Sequence, residues 1–146
     1  MILSDSHEGL VQQWLKEHHG VEALQWPRLV LGIFDQGVIV GAFVITLRCD
    51  TTAELHVFGQ FSHETARAMF QRVFGSGIWR LEVRTERSNK AVKKAAPKYG
   101  FRFEGVARDY YGPGRDAFCY AMTADECRWL KGEVGRGVDG LTVQVA

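Results

Sequence analysis

The sequence predicts a three-layer α/β/α domain whose mixed, twisted sheet has six to seven strands. Residues 29–47 have the pattern of an antiparallel hairpin, residues 53–85 that of a strand, a helix and a second strand, and residues 101–122 that of a closing hairpin. A strand–helix–strand unit joins parallel strands, whereas hairpins join antiparallel ones. Together these three segments predict a sheet that is antiparallel at both ends and parallel in the middle.

Length and composition favour one ordinary globular domain over residues 1–146. The charged fraction of 24% and the net charge of +1 give no general attraction to nucleic acid or to a membrane. The amino terminus lacks a signal-peptide pattern and no segment is apolar enough to span a bilayer, so we expect a cytoplasmic protein without membrane contact. Cys49, Cys119 and Cys127 lack zinc-ligand spacing, which predicts reduced thiols and no metal.

The first elements are a helix and a hairpin. Capping residues at 4–8 precede apolar residues at helical spacing, and Gly20 is placed to end that helix. The apolar runs 29–34 and 38–47 flank Asp35-Gln36-Gly37, which has the composition of a tight hairpin turn.

The next strand, residues 53–58, carries two titratable side chains on one face. Ala53, Leu55 and Val57 alternate with Glu54, His56 and Phe58, and successive side chains of a strand point to opposite faces of its sheet. A carboxylate and an imidazole are therefore predicted to share one face of a central strand.

The second half of the chain is predicted to alternate helix and strand. Ser62 is placed to cap a helix that ends at Gly75-Ser76-Gly77, and Asn89 to start another that ends at Gly100. Gly112-Pro113-Gly114 predicts the turn of the closing hairpin. Residues 123–130 are expected to form a short helix anchored by Trp129 and Leu130. The Gly-rich tail, residues 133–146, has no assigned structure.

One combination of residues resembles a known family. Asn89 opens a helix that runs into Gly100-Phe101, and Glu104-Gly105 follows in the next strand. This spacing, with the element order from about residue 29 onward, resembles the GNAT superfamily of acyl-CoA-dependent N-acyltransferases. Within it the chain is most similar to the branch that acetylates protein N-termini, and it also resembles phage-encoded relatives.

The resemblance implies an acetyl-CoA site. In that family the strands matching residues 53–58 and 79–85 splay apart, and the gap binds the pantetheine arm as an added strand. A backbone N–H near Val57 or Phe58 would polarise the thioester carbonyl. The pyrophosphate would lie at the start of the following helix, and Asn89 would contact the cofactor arm. The further residues expected to bind cofactor are Gly59, Gln60, Ser62 and Lys93.

Two departures from the family pattern accompany this resemblance. The loop 58–66 has only Gly59 where relatives have a Gly-rich turn, and Glu64 near the helix start would repel phosphate. Ala96 stands where many members have a tyrosine that acts as general acid. Cofactor binding through this loop is therefore either weakened or achieved in a changed way.

Three residues are candidates for catalysis of amine acylation. Glu54 could deprotonate the attacking ammonium directly or through water, and His56 could be the base or a proton relay. The resemblance also implies that Tyr110, with Tyr111 beside it, could line the acceptor entrance or protonate the leaving thiolate. The alternative interpretation of each is structural: a salt-bridged glutamate, a strand histidine and a tyrosine covering a sheet edge. Glu82, flanked by Arg80 and Arg84, could bind an amine but is expected to form a cross-strand ion pair. Cys119 is expected to be buried and inert.

The region around Asn89 is locally basic, and three interpretations of it stay open. It could be a solvated helix face, a second holder of the cofactor phosphates, or a contact surface for nucleic acid. Acceptors consistent with the sequence are the primary amine of a small molecule, a peptide or a nucleobase. A non-catalytic GNAT-like binding protein is the alternative, and either a monomer or a homodimer fits. The basic residues concerned are Arg80, Arg84, Arg87, Lys90, Lys93, Lys94, Lys98 and Arg102.

Overall fold

The structure, a computed structural model, describes residues 1–23 and 28–130. The described residues form seven strands, three α-helices and a 3₁₀ turn; the tail at 133–146 lies outside them. The helices are α1 (Glu8–His19), α2 (His63–Phe74) and α3 (Lys90–Lys98). The strands are β1 (Ile2–Ser4), β2 (Arg28–Asp35), β3 (Val38–Leu47), β4 (Thr52–Gly59), β5 (Arg80–Glu86), β6 (Arg102–Ala107) and β7 (Ala117–Thr123).

The strands form one mixed sheet in the order β1-β2-β3-β4-β5-β7-β6, which confirms the predicted fold class. Strands β4 and β5 are parallel, and every other neighbouring pair is antiparallel. Asp35 pairs with Val38 across the first hairpin, and Gln36 and Gly37 between them have φ values of 52° and 81°. Two central residues with positive φ give the two-residue turn whose twist matches that of the strands.

Helices cover both faces of the sheet. On one face, Val11 and Leu15 of α1 pack against Val30, Ala42 and Val44. The opposite face carries the larger core, in which α2 and α3 pack against the central strands. The residues of α2 and α3 in this core are Ala66, Ala68, Met69, Phe70, Val73 and Ala96. The buried residues of α2 recur at helical spacing, so the helix presents one apolar face to the sheet.

The predicted helix boundaries agree with the observed ones. Ser62 caps α2 and Asn89 caps α3. Asn89 Oδ1 accepts a hydrogen bond from the Val92 N–H at 3.2 Å. Gly20 ends α1 in the left-handed conformation, and Gly100, with φ of 105°, follows α3. These positions were predictable because capping depends on local chemistry.

Two elements differ from the prediction. Strand β1 is absent from the sequence interpretation because three residues are too few to show a period-two pattern. The predicted helix at 123–130 is wrong: only the 3₁₀ turn Ala124–Glu126 forms. The Trp129 indole N–H donates to the Tyr99 carbonyl at 2.8 Å, which holds the chain across the end of α3. Trp129 is buried, so its anchoring role is confirmed.

Among the described residues, no helix has both the length and the apolar composition needed to cross a membrane.

Candidate functional site

The parallel strands β4 and β5 separate part-way along their length. Their pairing begins at Thr52–Arg80 and ends at Glu54–Glu82. Beyond that point β4 stays paired with β3 as far as Gly59, and β5 stays paired with β7 as far as Glu86. The sheet is therefore open between the second halves of its two central strands.

Backbone groups of β4 point into this opening. The Thr52 carbonyl accepts from the Arg48 N–H at 2.8 Å, and the Gln60 N–H donates to the Val40 carbonyl at 2.9 Å, so both face β3. Successive residues of an extended strand direct their backbone groups alternately to the two sides. The groups of Leu55 and Val57 consequently face the β5 side, into the opening.

An apolar cleft of about 250 Å³ lies on the α2–α3 face of this opening. Leu55 and Val57 form its β4 wall and Val83 its β5 wall, while one side of α3 closes it. Its lining is apolar and follows α3 from Ala91 to Tyr99, which suits an extended chain. The lining residues are Phe43, Leu55, Val57, Gly59, Phe61, Ala66, Met69, Phe70, Val83, Ala91, Val92, Ala95, Ala96, Tyr99 and Phe101.

A second cleft of about 280 Å³ lies on the α1 face and contains the polar side chains. The structure brings the three predicted catalytic residues, Glu54, His56 and Tyr110, to its wall. The alternation predicted for β4 thus separates an apolar cleft from a polar one across a single strand. The lining residues are Val21, Ala23, Val44, Thr46, Arg48, Glu54, His56, Phe58, Tyr110 and Tyr111.

Glu54 is a buried carboxylate held by two arginines. Its side chain is 4% exposed, and its Oε1 forms an ion pair with Arg48 and lies 3.4 Å from Arg84 Nη1. Its Oε2 lies 3.7 Å from His56 Nε2. Burial of a carboxylate is costly unless it is paired, and both guanidiniums supply that pairing. The salt-bridged interpretation of Glu54 is therefore confirmed; its catalytic role stays a prediction.

His56 lies beside Glu54 at the mouth of this cleft, with its side chain 41% exposed. Partial burial, and next the positive charge of Arg48, lower the pKa of the imidazole. The neutral ring therefore predominates at pH 7, and a neutral imidazole can accept a proton.

The loop 108–116 presents Tyr110 and Tyr111 to the cleft. Asp109 Oδ1 accepts from the Gly114 N–H at 2.9 Å, and the Tyr111 N–H donates to the Arg115 carbonyl at 3.0 Å. Tyr110 Oη accepts from Arg84 Nη1 at 3.3 Å, and the Arg84 guanidinium lies 5.3 Å from the Tyr110 ring centroid. Burial raises the pKa of Tyr111, so that its hydroxyl keeps its proton.

Glu82 and Cys119 lie on neighbouring strands beside the polar cleft. Glu82 Oε2 lies 2.9 Å from Arg80 Nε, and its Oε1 lies 3.6 Å from Arg84 Nη2. Glu82 is therefore ion-paired, but the expected cross-strand pair is wrong, because both partners lie on the same strand as Glu82. Cys119 is only half-buried, so the expected full burial of its thiol is wrong.

In the loop before α2 and the first turn of that helix, the backbone N–H groups of Gln60, Ser62 and Thr65 already have hydrogen-bond acceptors. Ser62 Oγ accepts from the Thr65 N–H at 3.1 Å, and the Ser62 N–H donates to Thr65 Oγ1 at 2.9 Å. This capping box satisfies two of the amide groups that a helix start leaves without a partner. The Gln60 N–H is bound to Val40, and a side chain on Gly59 would collide with the Val40 carbonyl. Gly59 is thus required by the close approach of β3.

Asn89 and Lys93 have structural contacts on α3. Asn89 caps the helix, and the Lys93 ammonium lies 5.1 Å from the Phe118 ring centroid, away from the apolar cleft. Ala96 lines that cleft, as does Tyr99 one turn later. Burial raises the pKa of Tyr99 against the lowering effect of Arg128.

Arg48 and Tyr99 line the two clefts but were not predicted from the sequence. Arg48 follows β3, and only the pairing of β3 with β4 shows that it meets Glu54. Tyr110 and Tyr111, the pair noted beside the glycine turn, both line the polar cleft. Among the described residues no group of three or more His, Cys, Asp or Glu side chains could hold a metal ion.

Solved structures that resemble this fold include acetyltransferases. The aminoglycoside 6′-N-acetyltransferase from Enterococcus faecium is 15% identical over 84% of this chain and 97% of its own, with a TM-score of 0.66. The ribosomal-protein-S18-alanine N-acetyltransferase from Escherichia coli is 17% identical over 83% and 92%, with a TM-score of 0.63. The chain has the GNAT fold.

A third structure with the GNAT fold contains the co-substrate. It is a GNAT family acetyltransferase from Elizabethkingia anophelis with acetyl-CoA bound, 14% identical over 82% of this chain and 85% of its own, with a TM-score of 0.60. No protein-family model and no curated protein sequence matches the chain. At identities of 14–17%, the structural similarity shows the fold alone.

Proposed function

We propose that the protein is an N-acetyltransferase that moves an acetyl group from acetyl-CoA to a primary amine in a ternary complex. The observation that carries this proposal is the separation of β4 and β5 after Glu54–Glu82, with an apolar cleft on one face and a polar cleft on the other. One cleft can hold a donor and the other an acceptor, and the opening between them lets the two react.

The apolar cleft is the proposed site of the pantetheine arm. Its length along α3 suits an extended chain, and the backbone groups of Leu55 and Val57 can pair with the amides of that arm as a neighbouring strand would. Of the two candidates for the carbonyl-polarising N–H, Val57 has the supporting geometry because the backbone of Phe58 faces β3. Asn89 sits at the start of α3, beside the mouth of this cleft.

The polar cleft is the proposed site of amine attack. His56, neutral at pH 7, takes the proton of the attacking amine, and the Glu54 carboxylate stabilises the imidazolium that forms. The amine nitrogen bonds to the thioester carbon, the C–S bond breaks, and the thiolate takes a proton from a tyrosine, with Tyr110 and Tyr111 both at the cleft wall. Glu54 as the direct base is the alternative.

The charges in and beside the polar cleft limit which amines it can accept. Glu54 in the cleft wall and Glu82 beside the cleft are already paired with Arg48, Arg80 and Arg84. A polycationic amine would therefore find no unpaired carboxylate there, and we propose a monoamine, either a small molecule or a peptide, as the acceptor. The aromatic rings of Phe58, Tyr110 and Tyr111 favour one with a flat or apolar body.

The test is an assay of thiol release and product mass with acetyl-CoA and a panel of amines. We expect aromatic monoamines and peptides to be acetylated faster than a polyamine. Val57→Pro removes the proposed carbonyl-binding N–H, and Val57→Ala, which keeps it, is the matched control. Equal activity of both variants would contradict the proposed site.

The capping box of α2 favours a second candidate, a non-catalytic protein with the GNAT fold. Ser62 and Thr65 satisfy each other's amides, so the helix start offers fewer donors to a pyrophosphate. This candidate predicts no binding of acetyl-CoA and no product with any amine. The two functions are thus separated by a direct measurement of cofactor binding.

A further inference from the structure

A strongly basic segment runs along α3 and into β6. Residues 87–103 contain six basic side chains and no acidic one, although the whole chain has a net charge of only +1. Within the described part of the chain, Arg87 lies 4.0 Å from Asp116 and Arg102 lies 3.0 Å from Glu126, while the four lysines form no ion pair. The basic residues are Arg87, Lys90, Lys93, Lys94, Lys98 and Arg102.

An exposed aromatic ring lies beside these charges. Phe103 on the edge strand β6 is 52% exposed, and its ring centroid lies 5.1 Å from that of Phe118 on β7. The Lys93 ammonium and the Arg87 guanidinium lie 5.1 Å and 5.7 Å from the Phe118 ring centroid. We name Phe103, Phe118, Arg87, Lys90, Lys93 and Lys94 the aromatic–basic patch.

We propose that the aromatic–basic patch binds single-stranded nucleic acid. Unpaired lysines attract the phosphates, and an exposed phenylalanine on an edge strand offers a face on which an unstacked base can lie. Basic side chains alone would be enough to bind an acidic protein. The exposed ring beside them instead favours a ligand that combines phosphates with planar bases. The proposal does not depend on the acetyltransferase function, because none of the patch residues lines either cleft.

The first test is fluorescence anisotropy of the full chain with labelled oligothymidine and oligouridine at several salt concentrations. We expect binding that weakens as salt rises, with each phosphate contact contributing about 0.7 to the slope of log K against log salt. Binding that does not depend on salt, or a preference for duplex over single strand, would overturn the proposal.

Matched variants test the two parts of the patch separately. Lys90→Gln with Lys94→Gln should lower the salt slope, whereas Lys16→Gln, an exposed lysine on α1, should leave it unchanged. Phe103→Leu keeps an apolar side chain but loses the ring face, and should weaken binding about fivefold. Trp79→Leu, at a residue 61% exposed, is the aromatic control. Equal binding by Phe103→Leu and the wild type would overturn the stacking role.

A competition experiment distinguishes binding of nucleic acid from binding of the nucleotide end of CoA, which also combines a base with phosphates. Bound oligonucleotide should survive saturating CoA, and Phe103→Leu should bind CoA as the wild type does. Complete displacement by CoA, together with weaker CoA binding in Phe103→Leu, would assign the patch to the cofactor and overturn the proposal.

Discussion

Glu54 connects the two arginines of the polar cleft. It is buried, whereas Arg48 and Arg84 are 36% and 26% exposed, so the carboxylate depends on them more than they depend on it. Removing its charge would leave two guanidiniums facing each other across β4 without a counter-ion. Glu54 therefore has a structural function whatever its part in catalysis.

The first prediction concerns Glu54→Gln. We expect a loss of about 1–3 kcal/mol in the free energy of unfolding, because an ion-paired group is replaced and its partners are only partly solvated. We also expect slower acetyl transfer with unchanged affinity for acetyl-CoA, since the residue faces the polar cleft. Denaturant unfolding and steady-state kinetics measure the two effects.

Glu82→Gln is the matched control for this prediction. Glu82 pairs with Glu54 across the parallel strands and shares Arg84 with it, but does not line the polar cleft. Its variant should lose stability without a comparable loss of turnover. Equal effects of the two variants on turnover would contradict a specific role for Glu54.

The second prediction is a pH dependence set by His56. Its pKa is lowered below the ordinary 6.5 by partial burial and Arg48, so the proposed base is neutral at pH 7. The rate should fall only as the pH drops through that lowered pKa. A profile of kcat/KM against pH measures this, and His56→Gln should remove the limb and lower the rate about a hundredfold.

The stability of the protein should follow the same group with a definite sign. Between the lowered pKa and 6.5 the unfolded chain binds more protons at His56 than the folded one, so the free energy of unfolding falls as the pH decreases through that window. His56→Gln should reduce this loss of stability at low pH.

The same variant tests the pH dependence of the rate. A fall of kcat/KM at low pH that persists in His56→Gln would assign the base to another group.

For individual residues, the sequence predicted which face of the sheet a side chain occupies but not which side chain it pairs with. Strand alternation was enough to put Glu54, His56 and Phe58 on one face. The pairing of Arg48 with Glu54 depends on the register of β3 against β4. That register places Thr46 opposite Glu54, so that Arg48, two residues after Thr46, can reach the carboxylate. That register is a long-range property with no local signal.

At the element scale, the start of α2 decides how a cofactor could be held. The Ser62 hydroxyl is occupied by the Thr65 amide, and Glu64 stands in the first turn, where a carboxylate stabilises a helix end that has no bound anion. The helix is therefore stable without ligand. A pyrophosphate would have to share this end with the capping box.

The third prediction is that Ser62→Ala changes stability more than cofactor affinity. Loss of the cap should cost about 1 kcal/mol in the free energy of unfolding. Ser76→Ala is the control at the other end of α2, where Ser76 Oγ donates to the Val73 carbonyl at 2.7 Å. Thermal unfolding and calorimetry with acetyl-CoA measure both quantities. A tenfold loss of affinity without a loss of stability would show that Ser62 binds the cofactor.

The fourth prediction separates the two expected functions of Asn89. Serine also caps helices, so Asn89→Ser should keep the stability of α3. If Asn89 contacts the cofactor arm, as the resemblance implies, the same variant should bind acetyl-CoA more weakly because the amide N–H₂ donor is gone. Unchanged affinity in Asn89→Ser would leave Asn89 as a cap alone.

Elements with a strong local signal were predictable, and those fixed by tertiary contacts were not. The caps of α2 and α3 and the turn at Gln36-Gly37 follow from short-range chemistry. Strand β1 exists because Leu3 pairs with Ile33 of β2 and is buried, which three residues of sequence cannot reveal. The segment after Thr123 forms only a 3₁₀ turn, and its Trp129 donates to the Tyr99 carbonyl, a contact that the local sequence does not reveal.

At the scale of the whole molecule, the sheet is one surface with a defect at its centre. In the described part of the chain, seven strands pair in one sheet that opens where β4 and β5 part, and three helices cover its two faces. The order of elements predicted this architecture, since one crossover between two hairpins allows few arrangements. The depth of the opening and the charges around it required the coordinates.

The measurement that tests the central claim most directly is calorimetric titration of acetyl-CoA into the wild type and a variant with a blocked cleft. Ala91 is exposed and lines the apolar cleft from α3, so Ala91→Trp should fill its mouth without disturbing the core. Gln13→Trp, on the exposed side of α1, is the control. We predict binding with a dissociation constant below about 1 mM for the wild type and Gln13→Trp, and none for Ala91→Trp. Absence of binding to the wild type, or equal binding by Ala91→Trp, would contradict the account.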